Sequence, residues 1–272
     1  MNVPYIKAHG ARNDFLLTWA AEAPTENLPQ LAEAICDRYT GAGGDGWLLV
    51  SPAPAGADFD CTIRLFNPDG GEVEMSGNGT RCAAAFLLHA GLKKDKITII
   101  TGAGRKELTL LGQNGLEWQF EMNKSRPNVD DSNIRFPLPF RDGVQQVTLM
   151  DVGNPQCAVF VDNFDFDWKT MGAELERHPH FPKRTNVSFI RPVDEHTIDV
   201  RFFERGAGVT MSSGTGSTGA VVASVLTGIA KNPVKVLTLA GPLDLKWEAR
   251  SADVLLTGPA EIVAQGQFFY NA

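Results

Sequence analysis

Hydrophobic residues recur along the chain in short runs, and most of these runs are too short for helices. Runs of about four to six apolar or alternating residues, bounded by glycine, proline, asparagine or aspartate, are typical of β-strands. The runs of this kind are FLLTW, WLLV, CTIRLF, ITII, LTLL, EWQFEM, VTLMDV, CAVFV, NVSFI, IDVRFF, VKVLTL and DVLLT. Turn sequences such as PDGG, QNG and RDG separate many of them. The pattern predicts a chain in which strands predominate.

Only a few segments have a helical pattern, and they are residues 28–39, 78–90, 169–176 and 215–230. Strands in the majority with a few helices predict the α+β fold class. The stretch 123–143 is polar and contains prolines, so we predict that it links two domains.

The chain contains an internal repeat. Residues 64–67 (RLFN) align with residues 201–204 (RFFE) at an offset of 137 (201 − 64), and the same register aligns S-G-x-G at Ser76 with S-G-x-G at Ser213. Each copy consists of a strand, a glycine-bearing loop and an apolar helix. Two upstream matches, at an offset of 141 (154 − 13), are Asn13 with Asn154 and Asp45 with Asn186. An offset near half the chain length favours duplication of one domain over a chance likeness of two glycine loops.

The two S-G-x-G loops are candidates for binding an anion. A helix start leaves about four backbone N–H groups without partners and has a partial positive charge. Gly77 and Gly214 allow a ligand to approach this backbone closely. Two such loops related by a pseudo-twofold axis would hold one carboxylate from both sides, with Ser76 and Ser213 on opposite faces of one ligand carbon. The alternative is that the serines only cap their helices.

Composition excludes several classes of function. A net charge of −7 and a pI near 5.3 argue against a nucleic-acid partner. No segment approaches the roughly 20 apolar residues of a membrane span, so no membrane partner is expected. The four cysteines have no C-x-x-C spacing and predict buried reduced thiols. Together with an N-terminus that lacks an apolar signal region, they predict a cytoplasmic protein.

Other motifs give weak signals. Residues 41–46 and 214–219 both fit G-x-G-x-x-G, but the first opens no helix and the second is followed by no acidic residue before Asp244. Neither serine lies in the G-x-S-x-G sequence of a nucleophile elbow. The HPH sequence at 178–180 lies beside prolines and predicts a loop, so we expect no metal site.

Six blocks of the sequence resemble the diaminopimelate epimerase family, in the family's order. They are KAHGARNDF (7–15), CDRYTGAGGDG (36–46), FNPDGGEVEMSGNGTRC (66–82), GNPQC (153–157), FPKRTNV (181–187) and FERGAGVTMSSGTG (203–216). The resemblance implies two pseudosymmetric domains, each a curled, mostly antiparallel sheet around a central helix, with the site between them. The first domain would comprise 1–122 plus about 263–272, and the second 123–262.

The resemblance also implies an activity and a set of site residues. The activity is inversion of the α-carbon of LL-diaminopimelate to the meso form without a cofactor, one proton leaving one face and another arriving on the opposite face. The residues implied to bind this small amino-acid substrate are Asn13, Asn67, Gly77, Asn78, Asn154, Asn186, Arg205, Gly214 and Thr215. Those implied to act in catalysis are Ser76, Ser213, Glu204 and Gln156. A homodimer is expected from the resemblance alone.

The sequence departs from the family at the residues that exchange protons. The family uses two cysteines, and both positions are serine here. A thiol with a pKa of about 8.5 exchanges a proton near neutral pH far more readily than an alcohol does. Glu204 matches the family's acid–base helper for Ser213, whereas Gln156 replaces the histidine that would serve Ser76. We therefore expect turnover to be impaired or abolished.

Three interpretations of this departure remain open. The serines can be replacements, engineered or natural, in a true epimerase. The chain can be a homologue with altered chemistry, such as an isomerase or dehydratase. It can also be an amino-acid-binding protein without turnover.

Overall fold

The structure is a computed structural model that describes residues 2–270. Its contacts divide the chain into two units. The first comprises the residues up to Met122 together with those from Gly258 onward, and the second is Asn123–Thr257. The chain thus returns to the first unit at Gly258, somewhat earlier than the expected position near residue 263.

The first unit contains two helices and eight strands, the last of which ends one residue beyond Met122. In chain order they are β1 (Asn2–Gly10), β2 (Asn13–Trp19), α1 (Leu28–Cys36), β3 (Gly46–Pro52), β4 (Cys61–Phe66), β5 (Glu72–Val73), α2 (Gly77–His89), β6 (Lys96–Thr101), β7 (Gly104–Asn114) and β8 (Glu117–Asn123). A 3-10 turn at Ala20–Glu22 follows β2.

The second unit also contains two helices. Its elements are β9 (Phe136–Phe140), β10 (Gly143–Asp151), β11 (Pro155–Phe160), α3 (Trp168–Glu176), β12 (Asn186–Asp194), β13 (Thr197–Glu204), β14 (Gly208–Thr210), α4 (Gly214–Leu226), β15 (Val234–Thr238), β16 (Gly241–Lys246) and β17 (Leu255–Phe269). A 3-10 turn at Asp131–Asn133 precedes β9. Strand β17 begins in this unit and continues into the first.

The two units have the same topology. Strand β2 pairs in parallel with β3, and β11 pairs in parallel with β12. The antiparallel pairs β3–β4 and β12–β13 follow, and then the parallel pairs β4–β6 and β13–β15. Each unit continues with an antiparallel run, β6–β7–β8 in the first and β15–β16–β17 in the second. The matching pairs confirm the internal repeat and the predicted α+β class.

The second helix of each repeat forms the centre of its unit. In α2 every residue from Asn78 to Leu87 is buried, and in α4 every residue from Gly216 to Ser224. A helix that is buried on all sides must be covered all round, and the strands of the unit provide the cover. Small residues in the helix allow the strands to pack closely against it. A Cβ atom on Gly216, for example, would lie only 2.6 Å from Cδ1 of Phe202.

The predicted ends of two helices and the predicted linker are wrong. Helix α1 ends at Cys36 instead of residue 39, because the Asp37 carboxylate accepts the N–H groups of Tyr39 and Thr40 and turns the chain. Helix α4 ends at Leu226 instead of residue 230, where Gly228 soon follows at φ +74°. The predicted linker 123–143 instead contains a 3-10 turn and strand β9.

Strand β9 shows why the sequence of the predicted linker was misleading. It pairs with β10, buries Leu138 and leaves Pro137 and Pro139 exposed. An edge strand tolerates proline, because an outward-facing position needs no N–H donor. Among residues 2–270, none of the helices is long and apolar enough to span a membrane.

Candidate active site

The start of α2 forms the first candidate half-site. Ser76 is the N-cap residue, and its Oγ accepts the Gly79 N–H at 3.2 Å. Its carbonyl oxygen accepts the Thr80 N–H at 2.8 Å. These two bonds use the third and fourth amides of the helix. The amides of Gly77 and Asn78, at the first two positions, have no partner within the helix and are the donors that a bound carboxylate needs.

Asparagine side chains link this helix start to the first hairpin. Asn78 Nδ2 donates to Asn13 Oδ1 at 3.1 Å, and Asn13 Nδ2 donates to Asp45 Oδ2 at 2.7 Å. Arg38 pairs with both Asp45 and Asp14. Burial raises the pKa of Asp14, but bonds from Arg38 and Lys7 outweigh it and hold this pKa at about 2. The structure thus brings the predicted residues Asn13 and Asn78 together.

A buried arginine lies directly below the same helix start. Arg81 is 0% exposed, and its guanidinium donates to Asn78 Oδ1 at 2.5 Å, Pro259 O at 3.1 Å and Gly77 O at 3.5 Å. Burial lowers the pKa of Arg81 to about 10, so the group remains cationic at neutral pH. The sequence analysis did not identify Arg81, although a single arginine near the start of an apolar helix could have indicated a buried cation there.

Asn67 lies in the turn that follows β4. Its backbone N–H donates to Gly71 O at 2.8 Å, and its carbonyl accepts the Gly70 N–H at 3.0 Å. Gly70 has φ +78°, and a Cβ atom there would lie 2.8 Å from Pro29 O, so this turn requires glycine. The Asn67 side chain is partly buried.

The start of α4 forms the second half-site, and it has a carboxylate that the first lacks. Ser213 Oγ accepts the Gly216 N–H at 3.0 Å and donates to Glu204 Oε1 at 2.6 Å. Burial raises the pKa of the Glu204 carboxyl. When such a hydroxyl accepts a proton from a ligand, it can give its own proton to the carboxylate, and a raised carboxyl pKa favours this transfer. The amides of Gly214 and Thr215 occupy the first two helical positions.

Two predicted side chains form a chain of contacts to this helix start. Gln156 Nε2 donates to Asn154 Oδ1 at 2.7 Å, and Asn154 Nδ2 lies 3.5 Å from Thr215 Oγ1. Gln156 is 2% exposed and packs against Gly219, where a Cβ atom would lie 3.1 Å from the Gln156 Cβ. The structure therefore brings together Asn154, Gln156 and Thr215, three of the residues that the resemblance implies for the site.

Asn186 and Arg205 are also neighbours. Asn186 Oδ1 accepts the Arg205 backbone N–H at 3.0 Å, and Asn186 Nδ2 donates to Pro155 O at 3.0 Å. The buried Glu176 accepts the Gly206 N–H at 3.3 Å. Both sides of the Arg205 backbone are thereby fixed, while its guanidinium is exposed and donates to Lys183 O at 3.1 Å.

The two half-sites differ in acid–base chemistry. Within the described part of the first unit, no titratable side chain bonds to Ser76 Oγ, whereas Ser213 bonds to Glu204. No group of three or more His, Cys, Asp or Glu residues between positions 2 and 270 is arranged to hold a metal ion.

Comparison with known proteins identifies the family. The sequence model of diaminopimelate epimerase matches residues 5–126 and 148–263. A diaminopimelate epimerase of Pelotomaculum thermopropionicum is 39% identical to this chain, covering 98% of it and 99% of the relative. One from Azoarcus sp. is 38% identical at the same coverage.

Solved structures with little sequence identity share the fold. A phenazine biosynthesis protein of the PhzF family from Bacillus anthracis has a TM-score of 0.72 at 15% identity, over 99% of this chain and 100% of that one. A hydroxyproline epimerase from Agrobacterium vitis has a TM-score of 0.68 at 14% identity, over 98% of this chain and 92% of that one. The family expected from the six sequence blocks is confirmed, and the chain belongs to the diaminopimelate epimerase family of isomerases.

Proposed function

We propose that this chain acts on diaminopimelate and that its two half-sites serve the two faces of one α-carbon, linking the LL and meso forms. The observation that carries the proposal is the hydrogen bond from Ser213 to Glu204 at the start of α4. A capping serine needs no carboxylate partner. A serine that exchanges protons with a substrate does need one, because the alcohol alone is a very weak acid and base.

The amides at the two helix starts support the same proposal. Removal of an α-proton places negative charge on the adjacent carboxylate. Backbone donors that are already aimed at that charge are usually the largest contribution to such catalysis. The amides of Gly214 and Thr215 in one unit, and of Gly77 and Asn78 in the other, suit this role because the helices leave them unpaired.

The side chains around these amides would recognise the rest of an amino acid. We propose that Asn13, Asn67, Asn154 and Asn186 position the substrate and that Arg205 binds its distal carboxylate. Two observations support this role for Arg205: its backbone N–H is bonded to Asn186, and its guanidinium is exposed. An arginine fork that donates two parallel bonds to one carboxylate is the strongest common form of this recognition.

Serine at both proton-exchange positions is expected to impair turnover. Ser213 has Glu204 to accept its proton, whereas Ser76 Oγ accepts the Gly79 N–H and bonds to no carboxylate among residues 2–270. Proton removal on the Ser213 side is therefore better supported than proton transfer on the Ser76 side. Two-way inversion requires both.

This asymmetry favours a second candidate function. If only the Ser213 side removes a proton, the resulting carbanion can be protonated at another carbon or can expel a leaving group. The chain would then be an isomerase or a dehydratase with one active base. Without proton removal at all, the chain would only bind its amino acid.

Calorimetry and isotope exchange separate these functions. We expect LL- and meso-diaminopimelate to bind the unmodified chain, with slow α-proton exchange in deuterated water. The double variant Ser76→Cys/Ser213→Cys should convert LL to meso at least about 100-fold faster than the parent, since it restores groups that titrate near neutral pH. A Ser251→Cys variant, with its thiol on an exposed loop, should gain nothing.

Different results would favour the other functions or reject the substrate. Binding without any exchange, even in the cysteine variant, would indicate a binding protein. Exchange that leads to a new product would indicate the isomerase or dehydratase. A folded cysteine variant that neither binds nor converts diaminopimelate would contradict the proposed substrate.

A further inference from the structure

A buried carboxylate that the proposed mechanism does not use lies at the end of α3. The Glu176 side chain is only 1% exposed, and it has two arginine partners. Arg184 forms an ion pair with its Oε1, and Arg177 Nε donates to its Oε2 at 3.3 Å. Removing a carboxylate from water is costly unless such partners compensate it. The ion pair with Arg184 therefore joins the end of α3 to the loop that carries Arg184.

This loop is held in a conformation that its sequence does not favour. Arg184 has φ +61°, in the left-handed region that residues other than glycine rarely adopt. The Arg184 N–H donates to Phe181 O at 2.8 Å, and the Thr185 N–H donates to Glu176 O at 3.2 Å. These bonds and the ion pair with Glu176 compensate the cost of the conformation. The loop 181–185 thus has a fixed path past the end of α3.

The same loop orients the guanidinium of Arg205. Arg205 Nη1 donates to Lys183 O at 3.1 Å, and Lys183 immediately precedes Arg184. Glu176 thus acts on the Arg205 side chain through Arg184 and the Lys183 carbonyl. A guanidinium has five N–H donors, and the bond to Lys183 uses one of them. Two parallel donors can therefore still face a carboxylate.

Glu176 also bonds to the backbone beside Arg205. Its Oε1 accepts the Gly206 N–H at 3.3 Å, while Asn186 Oδ1 accepts the Arg205 N–H at 3.0 Å. Gly206 has φ +82°, so the chain turns directly after Arg205. One buried carboxylate is therefore bonded both to the turn that carries the arginine and to the loop that orients its guanidinium.

An exposed arginine needs such support to bind a ligand selectively. A long side chain in solvent has many conformations, and a ligand that must order it loses affinity through the ordering. The contacts of Glu176 restrict Arg205 before any ligand binds.

We propose that Glu176 is a positioning residue for Arg205, and that it makes this chain prefer an amino acid with a second carboxylate over one without it. Glu176 is buried and acts only through its bonds to Arg184 and Gly206. This role rests on the proposed function, which assigns the distal carboxylate to Arg205.

The preference for a second carboxylate tests the proposal. Since L-lysine is meso-diaminopimelate without one carboxyl group, the ratio of the two affinities measures the contribution of the distal carboxylate. Glu176→Gln keeps an acceptor for Gly206 and removes the charge that holds Arg184. We expect it to lower the affinity for meso-diaminopimelate about tenfold by calorimetry and to leave the affinity for L-lysine, measured by competition, within about twofold. A general weakening of the fold would lower both affinities alike.

Two further variants complete this test. Glu174→Gln, in the same helix, removes the exposed partner of Arg141 and should leave the ratio of affinities unchanged. Glu176→Gln/Arg184→Met removes both charges of the buried pair, which avoids the cost of leaving one of them unpaired. It should lower the ratio as Glu176→Gln does. An unchanged ratio in a folded variant at position 176 would overturn the proposal.

NMR relaxation tests the position of Arg205 without any substrate. In Glu176→Gln the order parameter of Arg205 Nε should fall below about 0.6, the range of flexible groups, whereas Glu174→Gln should keep the parent value. If it falls in this way but diaminopimelate binds neither the parent nor any variant, the proposed substrate is wrong and the positioning of Arg205 by Glu176 is supported. If the order parameter in Glu176→Gln equals that of the parent, the assignment of Glu176 is wrong.

Discussion

The starts of α2 and α4 share a backbone and differ in their chemistry. Each begins with a capping serine whose Oγ accepts the third amide of its helix, at 3.2 Å from Gly79 and 3.0 Å from Gly216. Ser213 also donates to Glu204, whereas Ser76 has no titratable partner in its own unit within the described residues. The two copies thus share the geometry of the helix start and differ in the side chains around the capping serine.

The carboxyl groups near the two helix starts show the same divergence. Asp14 is near Arg38 and Lys7, which hold its pKa at about 2 despite burial. Glu204 instead accepts a hydrogen bond from Ser213, and burial raises its pKa. The first half-site therefore has a carboxylate that bonds to cations and is charged at neutral pH, and the second has a buried carboxylate that holds a proton more readily.

The largest expected effect is that of Glu204→Gln. In the Ser76→Cys/Ser213→Cys background, it should lower the rate of LL-to-meso conversion about 1000-fold, within the range typical of a lost acid–base group. Conversion can be followed by chromatography of the two isomers. Glu195→Gln, on the surface of the same unit, is the matched control. Equal rates for both variants would mean that the contrast between the half-sites has no catalytic meaning.

Removal of the buried cation from the first half-site should mainly destabilise the fold. Arg81→Met leaves three acceptors, on Gly77, Asn78 and Pro259, without their donor. We expect a loss of about 3 kcal/mol in the free energy of unfolding by urea. Arg105→Met removes an exposed arginine of the same unit and should change the stability little. A similar loss for both variants would contradict a special role for Arg81.

The lowered pKa of Asp14 predicts a dependence of stability on pH. A carboxyl with a lowered pKa in the folded state stabilises the fold above its unfolded pKa near 3.9, and this stability disappears as the pH falls toward 2. We expect Asp14 to account for about 1 to 2 kcal/mol of the loss between pH 5 and pH 2, after allowance for partial solvent screening. Urea unfolding of the parent and of Asp14→Asn measures it. Parallel pH profiles for the two chains would contradict the prediction.

The smallest expected effect is a gain at position 156. The resemblance makes this position the acid–base helper of Ser76, and glutamine cannot accept a proton there. In the double-cysteine background, Gln156→His should raise the rate of conversion about tenfold at pH values above about 6.5, the ordinary pKa of histidine. The pH–rate profile should gain an inflection near that value. A pH profile identical to that of the background would contradict the role.

The sequence predicted the parts of this molecule that repeat. The S-G-x-G loops, the two central helices and most strands follow from local pattern, because small apolar helices and short apolar strands have distinct periodicities. The family and the fold class were also predicted correctly. Strands β1, β5, β9, β14, β16 and most of β17 were missed, because they are short or are interrupted by glycine, proline and charged residues.

Contacts between distant segments could not be predicted. Arg81 is satisfied by Pro259, which is 178 residues away, and Lys124 lies beside Gly214. Whether a basic residue is buried depends on which segments pack around it, and no local pattern contains that information. Both cations at the helix starts therefore became visible only in the folded unit.

The most direct test of the contrast between the two helix starts is α-proton exchange in the single-cysteine variants. In deuterated water, NMR can follow loss of the α-proton from LL- and meso-diaminopimelate in Ser76→Cys and Ser213→Cys. Since Glu204 bonds to the side chain at position 213, Ser213→Cys should exchange at least about tenfold faster than Ser76→Cys, and adding Glu204→Gln should remove the difference. Equal exchange in the two variants, with Glu204→Gln affecting both alike, would contradict the account.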